Sequence, residues 1–392
     1  MRVTHLACLL LTLACALAAA PLGAKRSAPA DPRTPPELSW AVLEQQNVLT
    51  WSQAQMRVGF PNIDQISPVR RIQASPTPKP LPVALWPATE SWGDDMDDLH
   101  LAGLLVIEDG VVRYEHYRQG HTAEQPWMSF SVTKSVVSML YGAALKDGFI
   151  QSLDQTVSAY LPQFDNTAYA EVTLRDLLRM QSGVAWREVY DDPNSDVSRL
   201  DNAEEADILA HLASLPRAHP PGTTFNYNTG ETTLAGVILA RAVGQSLSAY
   251  LADTIWQPYG MASPAHWALM GTDGGEMGGC CISATLTDYG RLGLMALDNW
   301  RGDGAEDPLP AGWLQQATTP SPNAPHYGYF WWLENGNDFR AAGIFGQAIH
   351  ISPESNLVIA MHGLWPSAVD EALTDKRRAL IAEIKAKASR AR

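Results

Sequence analysis

From Leu101 to Tyr117 the chain reads LAGLLVIEDGVVRYEHY, an apolar run and then an alternation of apolar and polar positions, with Asp109-Gly110 between them. Asp-Gly supplies the positive φ angles that a tight two-residue turn needs, so the pattern predicts a β-hairpin. Beyond Ser131 the pattern changes. From Val136 to Leu145, VVSMLYGAAL is apolar or small all round, which predicts a helix buried on every side, with Gly148 placed to end it. In TLRDLLRMQSG, Thr173 and Asp176 have the spacing of a capping box and Gly183 closes the helix. TTLAGVILARAVG (Thr232–Gly244) predicts another apolar helix. Strand signals return in YGYFWWL (Tyr327–Leu333) and in AGIFGQAIHISPESNLVIAMHG (Ala342–Gly363), a hairpin turning near Pro353 to Asn356. A last helix is expected from about Val369 to Ala388 on its charge and alanine content. Strands at both ends around a helical middle predict one α/β domain with an all-helical insertion, without internal repeats.

The remaining segments set boundaries. MRVTHLACLLLTLACALAAAPLGAKR has a short basic start, an apolar run and then small residues, the layout of a secretory signal. Residues 1–24 are accordingly expected to be a signal peptide and the mature protein to be periplasmic or secreted. The proline-rich stretches KRSAPADPRTPPE (Lys25–Glu37) and SPTPKPLP (Ser75–Pro82) assign residues 25–85 to a linker and N-terminal extension. The main domain is expected over 86–392, with a helical lobe at about 150–285. No later stretch reaches membrane-spanning length.

With 392 residues and 46% hydrophobic content the chain builds a large core. A formal net charge of −14 argues against nucleic acid and anionic membrane as partners, since both need a basic patch to displace counterions. Oligomeric state leaves no mark in the pattern. Cys8 and Cys15 lie in the signal, and Cys15 has Thr12 where a lipid-anchor motif needs an aliphatic residue. The adjacent Cys280 and Cys281 lack metal-site spacing and are expected to be buried packing, with no disulfide framework.

One charge interrupts the apolar run around WMSFSVTKSVVSML: Lys134, three residues after Ser131. On a helix these two share a face. A buried ammonium is costly and its pKa falls readily, so a serine beside it is a nucleophile beside its activator. PGTTFNYNTG (Pro221–Gly230) places Tyr227 in a polar turn before an apolar helix; a phenol whose pKa is lowered by a nearby ammonium is a proton shuttle for a serine without a histidine. In AGIFGQAIHI, Gly346 is expected to let a strand backbone approach a substrate, its N–H groups completing an oxyanion hole. No G-x-S-x-G elbow, H-E-x-x-H pair or P-loop occurs, and GTDGGEMGG (Gly271–Gly279) lacks the lysine of a phosphate loop. No metal or cofactor is expected.

Together, Ser131-Val-Thr-Lys134, Tyr227-Asn-Thr229 and the glycine-bearing strand resemble the serine β-lactamase and penicillin-binding-protein hydrolases, from about Trp86 to the end. SFSVTKS, FNYNTGETT, GGCCISATLTDYGRLG, YGYFWWL and GIFGQ are most similar to the class C-like branch containing 6-aminohexanoate-dimer (nylon-oligomer) hydrolases and related esterases. The resemblance implies a β-lactamase/transpeptidase-like α/β fold, an antiparallel sheet flanked by helices with an all-helical lobe and a site between them. It implies Ser131 as nucleophile, Lys134 and Tyr227 sharing the base and acid roles, and Thr229 where the family carries Asn or Ser. The N–H groups of Ser131 and of Gly346-Gln347 would hold the oxyanion, and EVYDDPNSD (Glu188–Asp196) would be a mobile loop bringing Tyr190 to the substrate. Where β-lactamases carry Lys-Thr/Ser-Gly for a substrate carboxylate, this chain has Ile344-Phe345-Gly346. The expectation is therefore hydrolysis of a small ester or linear amide. A D-amino-acid peptidase or weak β-lactamase is the enzymatic alternative, and an inactive binding protein on the same fold the non-enzymatic one.

Overall fold

A computed structural model describes residues 35–302 and 308–390. The expected signal peptide and the first part of the linker lie outside these residues. Ten strands form two antiparallel sheets. They are β1 (Val69–Ile72), β2 (Leu101–Glu108), β3 (Val111–Tyr117), β4 (Trp127–Met128), β5 (Ala265–Ala268), β6 (Ile282–Ala284), β7 (Trp332–Leu333), β8 (Phe339–Ala342), β9 (Ala348–Ser352) and β10 (Leu357–Gly363). The large sheet runs β3-β2-β10-β9-β8-β7 and the small one β1-β5-β6-β4. Five helices matter most below: α1 (Gln53–Gly59), α2 (Val132–Lys146), α3 (Thr229–Val243), α4 (Leu286–Arg301) and α5 (Glu371–Arg390).

Helices on both faces explain why β2 is apolar or small from Leu101 to Ile107 instead of alternating. On one face Leu105 and Ile107 join the cluster of Leu286 and Leu292 from α4, and a Cβ at Gly290 of α4 would lie 2.6 Å from the Leu105 side chain. On the other, Leu104 and Val106 cluster with Leu380 and Ile384 of α5. Every residue of β2 is buried as a result. Among the described residues, no single helix is long and apolar enough to cross a membrane.

The N-terminal extension packs on the main body through a strand: β1 pairs with β5 in antiparallel register from Val69↔Ala268 to Ile72↔Ala265. Ahead of it, α1 opens on a capping box between Ser52 and Gln55, and Trp51, Phe60 and Ile63 cluster with Trp127, Phe130 and Phe345 of the main body. We call residues 36–72 the arm. Residues 150–285 form mostly short helices around α3, and the end of this stretch contributes β5 and β6 to the small sheet.

Candidate active site

Strand β4 leads into the site, and its exit is fixed: Ser129 N–H donates to Ile282 O at 2.8 Å, while Ile282 N–H donates to the Thr133 hydroxyl at 2.9 Å. Phe130 then takes φ 47°, a left-handed value that costs an aromatic residue energy. This turn sets Ser131 at the N-cap of α2, partly exposed while the first turn behind it is buried. One turn on, Lys134 is 1% exposed. Its Nζ lies 3.0 Å from Ser131 Oγ, 3.1 Å from Thr229 Oγ1 and 2.8 Å from Gly279 O. Burial pushes the Lys134 pKa down to about 8, against the raising effect of the Glu188 carboxylate.

The polar turn before α3 delivers the next group. Asn228 caps α3 by accepting from Glu231 N–H at 3.0 Å, which fixes Tyr227 and Thr229 on either side. The Tyr227 ring stacks on Trp332 at 5.5 Å, and Lys134 Nζ lies 5.4 Å from the Tyr227 ring centroid. Its phenol pKa is raised by burial and by Glu188, and lowered only in part by a hydrogen bond to Ser131. The expectation of a phenol acidified by the ammonium is thus overturned: Tyr227 is held protonated.

Glu188 is the site residue that the sequence reading missed. Its carboxylate accepts from Thr229 N–H at 3.1 Å, from the Tyr190 hydroxyl at 3.0 Å, and from the Thr229 hydroxyl and the Trp186 indole. A glutamate at the start of a polar loop carries no local signal; its partners come from α3 and from both of its flanks. Tyr190 lines a cavity of about 90 Å³ beside Ser131 together with Val48, Leu49, Val197, Leu200, Asp201, Thr229, Met277 and Ile344.

The Ile344–Gly346 segment departs most from expectation. It is a one-turn 3-10 helix between β8 and β9, with Phe345 at φ 60° and Gly346 at φ 89°. Gly346 is needed there for the left-handed angle and because a Cβ would lie 2.5 Å from the Trp365 indole nitrogen. Phe345 points away from the cavity, 1% exposed, against Phe130 at 5.2 Å and Phe60 at 5.8 Å, and its N–H donates to Ala368 O. The Gln347 side chain is buried, donating to Gly363 O at 2.8 Å and accepting from Gly363 N–H at 2.9 Å. Of this stretch only Ile344 lines the cavity. Of the two adjacent cysteines, Cys281 is buried and Cys280 lies on the cavity wall. Among the described residues, no group of three or more His, Cys, Asp or Glu side chains is arranged to hold a metal ion.

A Ser-x-x-Lys pair at hydrogen-bond distance, faced by a tyrosine from the turn before a second helix, matches a family pattern across most of the chain: the beta-lactamase family model fits residues 93–383. The chain belongs to the beta-lactamase family. This beta-lactamase-family serine hydrolase is 26% identical over 288 residues to the 6-aminohexanoate-dimer hydrolase of Paenarthrobacter ureafaciens, covering 67% of this chain and 72% of the relative. It is 30% identical over 162 residues to esterase EstB of Burkholderia gladioli, covering 37% and 41%. In fold it is similar to a candidate 6-aminohexanoate-dimer hydrolase from Bacillus anthracis, with TM-score 0.77, 20% identity and coverage of 86% and 95%. It is also similar to a penicillin-binding protein homologue from Pyrococcus abyssi, with TM-score 0.59, 17% identity and coverage of 75% and 76%.

Proposed function

We propose that the chain is an exported hydrolase of esters or linear amides that works through an acyl-enzyme on Ser131. The observation that carries this is the 3.0 Å contact between Ser131 Oγ and a lysine whose pKa is brought down to about 8. Near neutral pH a useful fraction of Lys134 is then the free amine. It takes the Ser131 proton as Oγ attacks the substrate carbonyl. The oxyanion forms at the N-terminus of α2, facing the Ser131 N–H; a donor of this kind is worth about 3 kcal/mol. Tyr227, kept protonated by burial, gives its proton to the leaving oxygen or nitrogen and is reprotonated from Lys134. Water entering by the same route releases the acid and restores the serine.

The cavity bears on the substrate. Asp201 is its one charged side chain, its carboxyl raised to about 6 by burial, and no lysine, arginine or histidine lines it. A penicillin carboxylate gains no partner here, so esters and linear amides are favoured over β-lactams, in keeping with the names of the hydrolase and esterase relatives. A fluorophosphonate probe is expected to label Ser131, with ester turnover lost in proportion and nitrocefin turnover low. An adduct on another serine, or none on active protein, rules the assignment out.

A further inference from the structure

One buried carboxyl group close to Tyr227 has no part in the mechanism above. Residues 180–184 form a strap beside the turn that carries the tyrosine, bent by left-handed angles at Met180 (φ 57°) and Gly183 (φ 72°). The turn is pinned to this strap on both sides of Tyr227: Asn226 N–H donates to Met180 O at 2.9 Å, and Asn228 N–H to Met180 Sδ at 3.3 Å. Glu231, in the first turn of α3, closes the clamp. Its Oε1 accepts from both parts at once, from Asn228 Nδ2 at 3.0 Å and from the Ser182 hydroxyl. Ser182 Oγ in turn accepts from Val184 N–H at 3.0 Å, which holds the strap's bend. The other oxygen, Oε2, is buried without a hydrogen-bond partner.

With both donors on Oε1, an ionised carboxylate would leave charge on an oxygen that is out of water and unpaired. Among the described residues, Asp176, Tyr169 and Tyr327 are the ionisable groups that face it, none of them a cation. The Arg217 guanidinium reaches the strap but donates to Ser182 O, at 3.2 Å. We infer that Glu231, as the neutral acid, is a positioning residue that holds the Tyr227 phenol where it can protonate the leaving group. The inference rests on the acyl-enzyme reading above. Loss of Glu231, or of its proton, releases Asn228 from the strap and frees the turn with Tyr227. Ser131 and Lys134 belong to the start of α2 and keep their own contact. The damage therefore scales with how much a leaving group needs a proton.

The test uses the full mature chain with two esters of one acid: ethyl butyrate, whose ethoxide must be protonated as it leaves, and p-nitrophenyl butyrate, whose nitrophenolate leaves without a proton. In Glu231→Ala, kcat/KM is expected to fall by about a hundredfold for the ethyl ester and by less than about fivefold for the nitrophenyl ester. Glu231→Gln keeps the acceptor oxygen and should recover most of that loss. In the parent, the ethyl-to-nitrophenyl ratio should drop about tenfold from about pH 7 to about pH 9, as Glu231 loses its proton near its pKa of about 8. In Glu231→Gln the ratio should stay flat; Lys134 acts on both esters and cancels. Thermal melting checks folding, and Ser182→Ala, which opens the clamp from the strap side, should lower the ratio in the same direction even if Glu231→Ala does not fold. Equal losses on both esters in folded variants, or a parent ratio that does not move with pH, overturn the positioning role, while Ser131-dependent turnover leaves the enzyme reading standing. Undiminished ester hydrolysis in Ser131→Ala overturns that reading and the positioning role with it.

Discussion

Lys134 has three acceptors in reach, the full donor capacity of an ammonium, yet burial holds its pKa at about 8. The site therefore stabilises the charged form by hydrogen bonding and by Glu188, and penalises it by desolvation. That balance was half legible: Ser131 and Lys134 are four letters of one helix turn, whereas Glu188 reaches the lysine only through Thr229, far along the chain. Removing the carboxylate charge removes the attraction that raises the Lys134 pKa. Glu188→Gln is thus expected to move the acidic limb of the kcat/KM profile to lower pH, because the free amine persists further into acid. A limb that stays in place, or moves upward, rules out electrostatic coupling between Glu188 and the base. Tyr227 was found by its motif, but its protonation state depends on surroundings that no motif contains.

Elements marked by turn chemistry were readable. The β2–β3 hairpin turns at Asp109 and Gly110 with φ 51° and 75°, and both halves of the capping box at Thr173 and Asp176 form. What failed was the reading of apolar runs as strand: Ile344-Phe345-Gly346 is apolar because it packs on the arm and Trp365, while its backbone turns. The arm itself has no strong pattern in the sequence, although Phe60 is fully buried with Phe130 at 5.1 Å and Phe345 at 5.8 Å. Phe60 thereby supports both left-handed residues that flank the candidate oxyanion site. Phe60→Ala is expected to cost about 3–5 kcal/mol of stability in urea unfolding, as for other large core aromatics. A cost below about 1 kcal/mol would mean that the arm is an appendage after all.

At the scale of the molecule, the family was legible because its signature residues are brought into contact from distant positions, whereas the charges buried behind them were not. Glu231 is 1% exposed and accepts from Asn228 Nδ2 at 3.0 Å and from the Ser182 hydroxyl. Burial raises its pKa from 4.5 to about 8. Its folded pKa lies above the unfolded one, so the native state holds a proton that the unfolded chain releases, and stability is lost as pH rises from 4.5 towards 8. Glu231→Gln abolishes that titration. Relative to the parent, the variant should gain stability progressively across this window, by up to about 4 kcal/mol at its upper end, measured by denaturant melts at several pH values. A difference independent of pH would show that Glu231 is ionised when folded. The pairing of β1 with β5 sets an order of events as well. A chain threaded N-terminus first through a ribosome or an export pore delivers the arm early and its strand partner only after the whole helical lobe has followed. Trp51, Phe60 and Ile63 gain their aromatic cover in steps, from Trp127 and Phe130 first and from Phe345 last, and pairing of β1 cannot precede the arrival of β5.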